Sequence, residues 1–437
     1  MNIREFLRKL EVEGKLIKIK REVSVYYEAA EIMATLNGKP VYLEKIKESN
    51  IPVAGNLLSS RQLVAMALNV EVEGILHKLN WAMNNLKEPQ VVDEGVCQEV
   101  VEGNVDLTKL PILKHMPKDR GRYVTSAVCI LRDPQTGIRN SSFHRLLLLD
   151  EKRFVARIVE GRGTDTILKK SGGEADVAIC IGSPIQVMIA AATSLPHGVD
   201  ELGMANALEP TPLVKCKKID LEVPAETEIV LEGRITKERA PEGPFLDITE
   251  TYDMEREQPI IEVKYITHRR NPIYQALIPG KSEHKILMGM PMEPLIYNEV
   301  NKICKCLNVY ITPGGASWLH AIIQIKKERD DDAKKAIEAA FKAHKSLKHC
   351  IIVDEDINIY DMEEVEWAIA TRVQADEDIY IYRGERGSSL DPSAKYIPGE
   401  KPITAKMGID ATIPLGKKDK PFKKEKYKQV NVEEYLS

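Results

Sequence analysis

Tyr123-Val-Thr-Ser-Ala-Val-Cys-Ile-Leu131, Arg145-Leu-Leu-Leu-Leu149, Phe154-Val-Ala-Arg-Ile-Val159 and Val177-Ala-Ile-Cys-Ile181 decide the fold. Each is short, apolar and rich in residues that fit a pleated surface, with turn residues between one run and the next. Gln186–Ile189, Glu228–Ile235 and Pro259–Ile266 continue the pattern. Short strands at this spacing predict a barrel or sandwich rather than a doubly wound parallel sheet. Ala190–Thr193 and the region around Glu201–Leu208 are the helix-like exceptions.

The flanks read differently. Ile3, Phe6, Leu7 and Leu10 fall at i, i+3, i+4 and i+7, which predicts an amphipathic opening helix. Residues 40–43 and 51–55 look like strands, and a helix over 61–67 has Ser59 or Ser60 as its N-cap. Beyond about 290 the chain alternates. Helices are expected over 294–304, 331–344 and 362–371, and strands over 318–326, 350–353 and 379–382. Ala333, Ile337, Ala340 and Phe341 share one helical face. This predicts a βαβ-type second domain. The expected fold class is therefore α+β and multidomain: an N-terminal α/β region (1–104), a central β-barrel (105–290) and a C-terminal α/β domain with a basic tail (291–437).

Composition bounds the function. With 437 residues there is room for several cores, and a formal charge of −4 argues against a general nucleic-acid binder. No run approaches 18 apolar residues, and the N-terminus lacks a signal peptide's apolar segment, so a cytoplasmic protein with no membrane partner is expected. The seven cysteines are scattered and form no CxxC pair, which predicts neither a disulfide framework nor a zinc knuckle. The lysine-rich stretch Lys417–Lys428 reads as a solvated tail or contact arm.

Three segments can carry chemistry. Pro241-Glu-Gly-Pro-Phe-Leu-Asp247 excludes regular helix and predicts loop carboxylates at Glu242 and Asp247, either solvated turn residues or a proton donor beside apolar groups. Asn140 and Arg145 bracket a turn-to-strand transition. Arg145 can pair with an acid or grip a carboxylate or phosphate through two parallel hydrogen bonds. Glu201 follows Asp200, a natural N-cap, so it is either a first-turn acid or, with the Asn140 amide oxygen, a ligand for a hard cation.

These segments, together with Pro52-Val-Ala-Gly-Asn56, Leu221-Glu-Val-Pro-Ala225, Val365-Glu-Trp-Ala-Ile-Ala-Thr-Arg372 and Ala405-Lys-Met-Gly-Ile-Asp-Ala-Thr412, resemble the UbiD-type decarboxylases over nearly the whole chain. The resemblance implies a central FMN-binding split barrel and a C-terminal oligomerisation domain, hence a homodimer or larger homo-oligomer. It implies prenylated FMN as cofactor, supplied by a flavin prenyltransferase, with Mn2+ and optionally K+. It makes Glu242, Arg145 and Asp247 catalytic, and Asn140, Arg145, Thr193, Ser194, Lys406 and Thr125 cofactor-binding. Asn140 and Glu201 become metal ligands. The family places a metal histidine after the strand that here is 154–159, where this chain has Glu160-Gly-Arg-Gly-Thr-Asp165. Ser282-Glu-His-Lys-Ile-Leu-Met-Gly-Met-Pro resembles an archaeal branch that decarboxylates trans-anhydromevalonate 5-phosphate to isopentenyl phosphate. Arg122, Lys281, His284 and Lys285 are candidates for that substrate's phosphate. Aryl or acrylic acid decarboxylation, redox work on plain FMN and a non-catalytic cofactor-binding scaffold are the alternatives.

Overall fold

The computed structural model describes all residues except 397–401, 418–421, 423, 426, 429 and 437. Half of the predicted lysine-rich stretch Lys417–Lys428 falls outside the described residues. The chain divides into two compact units: Met1–Pro294 with Ile311–Trp318, and Leu295–Tyr310 with Leu319–Ser437.

In the first unit, nine strands among the described residues form one curled half-barrel sheet. Eight make its path: β1 (Tyr123–Val124), β2 (Val128–Arg132), β3 (Arg139–Phe143), β4 (Leu146–Leu148), β5 (Arg153–Ala156), β6 (Ala175–Ile181), β7 (Ile229–Glu242) and β8 (Arg256–His268). Their spatial order is β1-β4-β5-β8-β7-β6-β2-β3, and Val100–Glu102 pairs with β8 off that path. The apolar runs are continuous because both faces of the sheet are covered. Val177, Ile179 and Ile181 pack with Cys129, Leu131 and Leu231 in one core. Their neighbours Ala178 and Cys180 join Val128, Ile130 and Val230 in another.

Two local expectations fail for identifiable reasons. Gln186–Ile189 is not a strand but the middle of a helix, Ile185–Ala192, in which every residue but the last is buried. A helix buried all round has no polar face, so its sequence carries no periodicity to separate it from a core strand. Glu242 does not sit in a loop either. It is the last residue of β7, paired with Arg256 of β8. Proline is tolerated at Pro241 because it lies at the strand's end rather than in its middle. Between Ile235 and Arg239, β7 advances four residues while β8 moves back two, from Ile261 to Pro259, a bulge that aims the last turn of the ribbon.

The opening helix forms as predicted over Ile3–Val12, with Ile3, Phe6, Leu7 and Leu10 buried and a reciprocal Asn2–Glu5 capping box. Ser60 caps the helix Arg61–Leu68. Strands Val41–Leu43 and Val53–Gly55 belong to a four-stranded sheet whose last member, Tyr274–Ala276, arrives from far along the chain.

The second unit carries a sheet in the order Lys305–Ile311, His320–Lys326, His349–Val353, Ile403–Asp410, Ile379–Arg386. Its helix Asp332–Ala343 buries Ala333, Ile337, Ala340 and Phe341. The expected βαβ unit is present, its strands His320–Lys326 and His349–Val353 pairing in parallel.

Candidate active site

Three distant carboxylates converge on one guanidinium. Arg145 lies between β3 and β4, at the rim of the half-barrel, with 13% of its side chain exposed. Its Nε donates to Glu242 Oε1 at 2.8 Å and its Nη2 to Glu242 Oε2 at 3.0 Å, a bidentate pair. Nη2 also donates to Asp253 Oδ2 at 2.9 Å, and Nη1 lies 3.6 Å from Asp247 Oδ2. Glu242 is completely buried. Burial opposes the arginine's charge, but the Glu242 hydrogen bonds and the charges of Glu242, Asp253 and Asp247 outweigh it and raise the guanidinium's pKa. Beneath the cation lies the Phe245 ring, 5.1 Å from it, packed in turn on Tyr123 at 4.2 Å. The Tyr123 hydroxyl accepts from Gly243 N at 3.2 Å and so fixes the residue after Glu242.

Asp253 was not legible from the sequence. Burial pushes its pKa up, yet Arg256 and Arg145 hold the carboxyl below its usual range. Arg256 Nη1 donates to Asp253 Oδ1 at 2.7 Å, and Arg157 Nε lies 3.8 Å from Oδ2. Three carboxylates thus share three arginines. If Glu242 is neutral, Asp253 and Asp247 still face Arg145.

A second polar group lies on β3 and the helix that follows Asp200. Asp200 caps that helix through Leu202 N, and Glu201 opens it. Asn140 Nδ2 donates to Glu201 Oε1 at 3.1 Å, and Ser141 N donates to Oε2 at 2.8 Å. Burial pushes the Glu201 carboxyl up to about 7, and neither of these bonds comes from a cation. Gly163 opens the helix Gly163–Lys170 against the Asn140 amide, where a Cβ would lie 2.6 Å from Oδ1. The Thr164 hydroxyl donates to Asn140 Oδ1 at 3.4 Å and meets His144 Nε2 at 2.9 Å, while His144 Nδ1 bonds Arg157 O at 3.0 Å. His144 thus enters the polar group, although its strand neighbours gave no hint of it.

The remaining expected residues are engaged as follows. Thr125 Oγ1 donates to Leu277 O and Thr193 Oγ1 to Ile189 O; Ser194 is the next residue. Lys406 belongs to the second unit, where its Nζ donates to Lys345 O at 2.7 Å over the Phe341 ring. Lys281 and Lys285 both pair with Glu250, and Arg122 lies over Tyr26.

Family models of the 3-octaprenyl-4-hydroxybenzoate carboxy-lyase match the chain in three parts: the N-terminal domain over 7–83, the Rift-related domain over 90–282 and the C-terminal domain over 285–411. The chain belongs to the UbiD family. A UbiD relative, the anhydromevalonate phosphate decarboxylase of Methanothermobacter thermautotrophicus, is 42% identical over 96% of this chain and 98% of its own length. The UbiD-class enzyme HmfF from Pelotomaculum thermopropionicum, solved in complex with FMN, superposes with a TM-score of 0.95 at 38% identity, covering 100% of both chains. An evolved dimeric form of HmfF in complex with prFMN gives 0.89 at 36% identity over 100% of this chain and 98% of that one.

The Asn140 and Glu201 oxygens of this UbiD member are of the kind a hard cation takes. The Asn140 amide and the Glu201 carboxylate supply oxygens, and a buried carboxylate hydrogen-bonded only by neutral groups gains from a metal's charge. Among the described residues, no group of three or more His, Cys, Asp or Glu is arranged to hold a metal.

Proposed function

We propose that this chain is a prenylated-FMN-dependent decarboxylase that converts trans-anhydromevalonate 5-phosphate to isopentenyl phosphate and CO2. The observation that carries the reading is the buried Glu242–Arg145 pair with Asp247 and Asp253 on the same guanidinium, in a chain of this family. Prenylated FMN, when bound, accepts the electron pair released as the carboxylate leaves as CO2. Replacing CO2 at the substrate carbon requires one proton, and this reading gives Glu242 the role of holding and delivering it. While Glu242 carries that proton, Asp253 and Asp247 keep Arg145 paired. Arg145 orients Glu242 through both oxygens and remains an anion clamp for the substrate carboxylate. Phe245 and Tyr123 close the apolar side of the cluster, which keeps water from competing for the proton.

The same reading assigns Asn140 and Glu201 to a Mn2+ ion on the cofactor phosphate, with K+ as an optional companion. It assigns Thr125, Thr193 and Ser194 to the cofactor. Residues 105–290 then form the FMN-binding split barrel, residues 1–104 the N-terminal region, and residues 291–437 an oligomerisation domain building a homodimer or larger assembly. A flavin prenyltransferase supplies the cofactor. No helix among the described residues is long and apolar enough to cross a membrane.

The test is co-expression with a flavin prenyltransferase, then CO2 release from anhydromevalonate phosphate beside a panel of aryl and acrylic acids. Selective turnover of the phosphate ester is expected. Silence on every acid, with cofactor bound, would overturn the assignment.

A further inference from the structure

Beyond Asp247 lies a lysine cluster that the mechanism above does not use. Lys281 sits at the N-cap of the helix Ser282–Gly289, and Lys285 follows four residues later on the same face. Lys281 Nζ lies 3.2 Å from Glu250 Oε2, and Lys285 Nζ lies 2.6 Å from Glu250 Oε1. Glu250 holds a left-handed backbone, φ +60°, unusual for a residue with a side chain. Its N donates to Asp247 O at 2.9 Å, so a single turn sets Asp247 against Arg145 and Glu250 against the lysines. The helix start presses directly on that turn: a Cβ on Gly280 would lie 2.9 Å from Glu250 Cγ and 3.2 Å from Asp247 O. Gly280 N donates to His284 Nδ1 at 3.1 Å, which leaves the neutral imidazole's proton on Nε2 as a free donor.

From this arrangement we infer that Lys281 and Lys285, with His284 between them, bind the phosphate of the substrate, and that Glu250 is the internal counter-ion it displaces. The inference rests on the decarboxylase reading for its ligand. Its chemistry comes from the charge count. Two ammonium groups face one carboxylate; once Glu250 is displaced they present two positive charges, which a phosphate monoester dianion balances and a single carboxylate does not. Glu250 is 46% exposed, so its ion pairs are solvated and weak, whereas the charge-assisted hydrogen bonds to an incoming phosphate are stronger and more numerous. The turn shared with Asp247 ties this event to the proton-transfer cluster: swinging Glu250 out pulls on the backbone that carries Asp247.

The holoenzyme titrated calorimetrically with isopentyl phosphate, an unreactive alkyl monophosphate, tests this. Lys281→Ala/Lys285→Ala is expected to weaken binding about tenfold or more, and Glu250→Gln to tighten it about threefold. These opposite directions separate the inference from a general loss of fold, which thermal melting of the double variant also checks. Unchanged binding in the double variant, weaker binding in Glu250→Gln, or no alkyl phosphate binding by the wild type would each overturn the subsite. Those results are independent of CO2 release. A wild type that binds the phosphate yet decarboxylates no acid would instead overturn the proposed activity.

Discussion

Replacing Glu242 by glutamine separates proton delivery from the rest of the site. The amide keeps the shape of the side chain but cannot hold the acidic proton, and one of its two ends becomes a donor facing a guanidinium that is itself all donor. One of the two Arg145 bonds, at 2.8 and 3.0 Å, is therefore lost in a fully buried setting. Breaking a buried ion pair by removing one partner commonly costs about 3–5 kcal/mol. Here Asp253 at 2.9 Å and Asp247 at 3.6 Å stay on Arg145, so the expected cost is smaller, about 1–3 kcal/mol, close to one charge-assisted hydrogen bond. Loss of a positioned general acid lowers turnover by about 10²–10⁴-fold. The assay is CO2 release under saturating substrate, with flavin absorbance per chain and thermal melting measured on the same preparation. Expected are retained cofactor, a small drop in melting temperature and turnover reduced by at least about a hundredfold. Decarboxylation at the wild-type rate with cofactor bound would refute the proton-donor argument.

Other substitutions reach separate parts of the site. Gly163→Ala places a methyl 2.6 Å from Asn140 Oδ1, so flavin and Mn2+ content per chain should fall while the melting temperature changes little. Full occupancy in that variant would contradict the role of Asn140. Asp253→Asn leaves Arg256 and Arg157 without their shared acid and loosens Arg145, which should lower kcat about tenfold or more and shift the pH profile. An unmoved profile would show Asp253 to be structural only. Burial pushes the Glu283 carboxyl up to about 7, above the value of about 4.3 expected for an unfolded chain. The folded state therefore binds the proton more tightly, and this contribution to stability, full below about 4.3, is lost as pH rises through about 7. Melting curves of Glu283→Gln between pH 5 and 8 should be flatter than the wild type's; parallel curves would exclude the effect.

Legibility in the sequence followed the range of the interactions. The opening helix was readable because Ile3, Phe6, Leu7 and Leu10 repeat within one short segment. Arg145 and Glu242 could be nominated by residue type and by resemblance, but their bidentate contact spans 97 residues, and no local pattern encodes it. Asp253 sits in Tyr-Asp-Met-Glu-Arg, which reads as an ordinary charged turn until the fold brings it to Arg145. Nothing local marks His144 as part of the site. The strand Arg139–Phe143 ends before it, and its ring bonds Arg157 O and Thr164. The helix Ile185–Ala192 was half missed because complete burial erased the polar face that would have marked its period.

The bulge between Ile235 and Arg239 has a consequence for how this chain tolerates insertions and deletions. Successive residues of a strand point to opposite faces, and β7 carries two residues more than β8 across the irregular stretch. A second shift, between Glu232 and Gly233, gives β8 one residue more, so from Ile229 to Glu242 β7 exceeds β8 by one residue in all. Glu242 takes its facing from its pairing with Arg256, so a length change confined to the unpaired residues 236–238 leaves the acid on Arg145, whereas one between Arg239 and Glu242 turns it away.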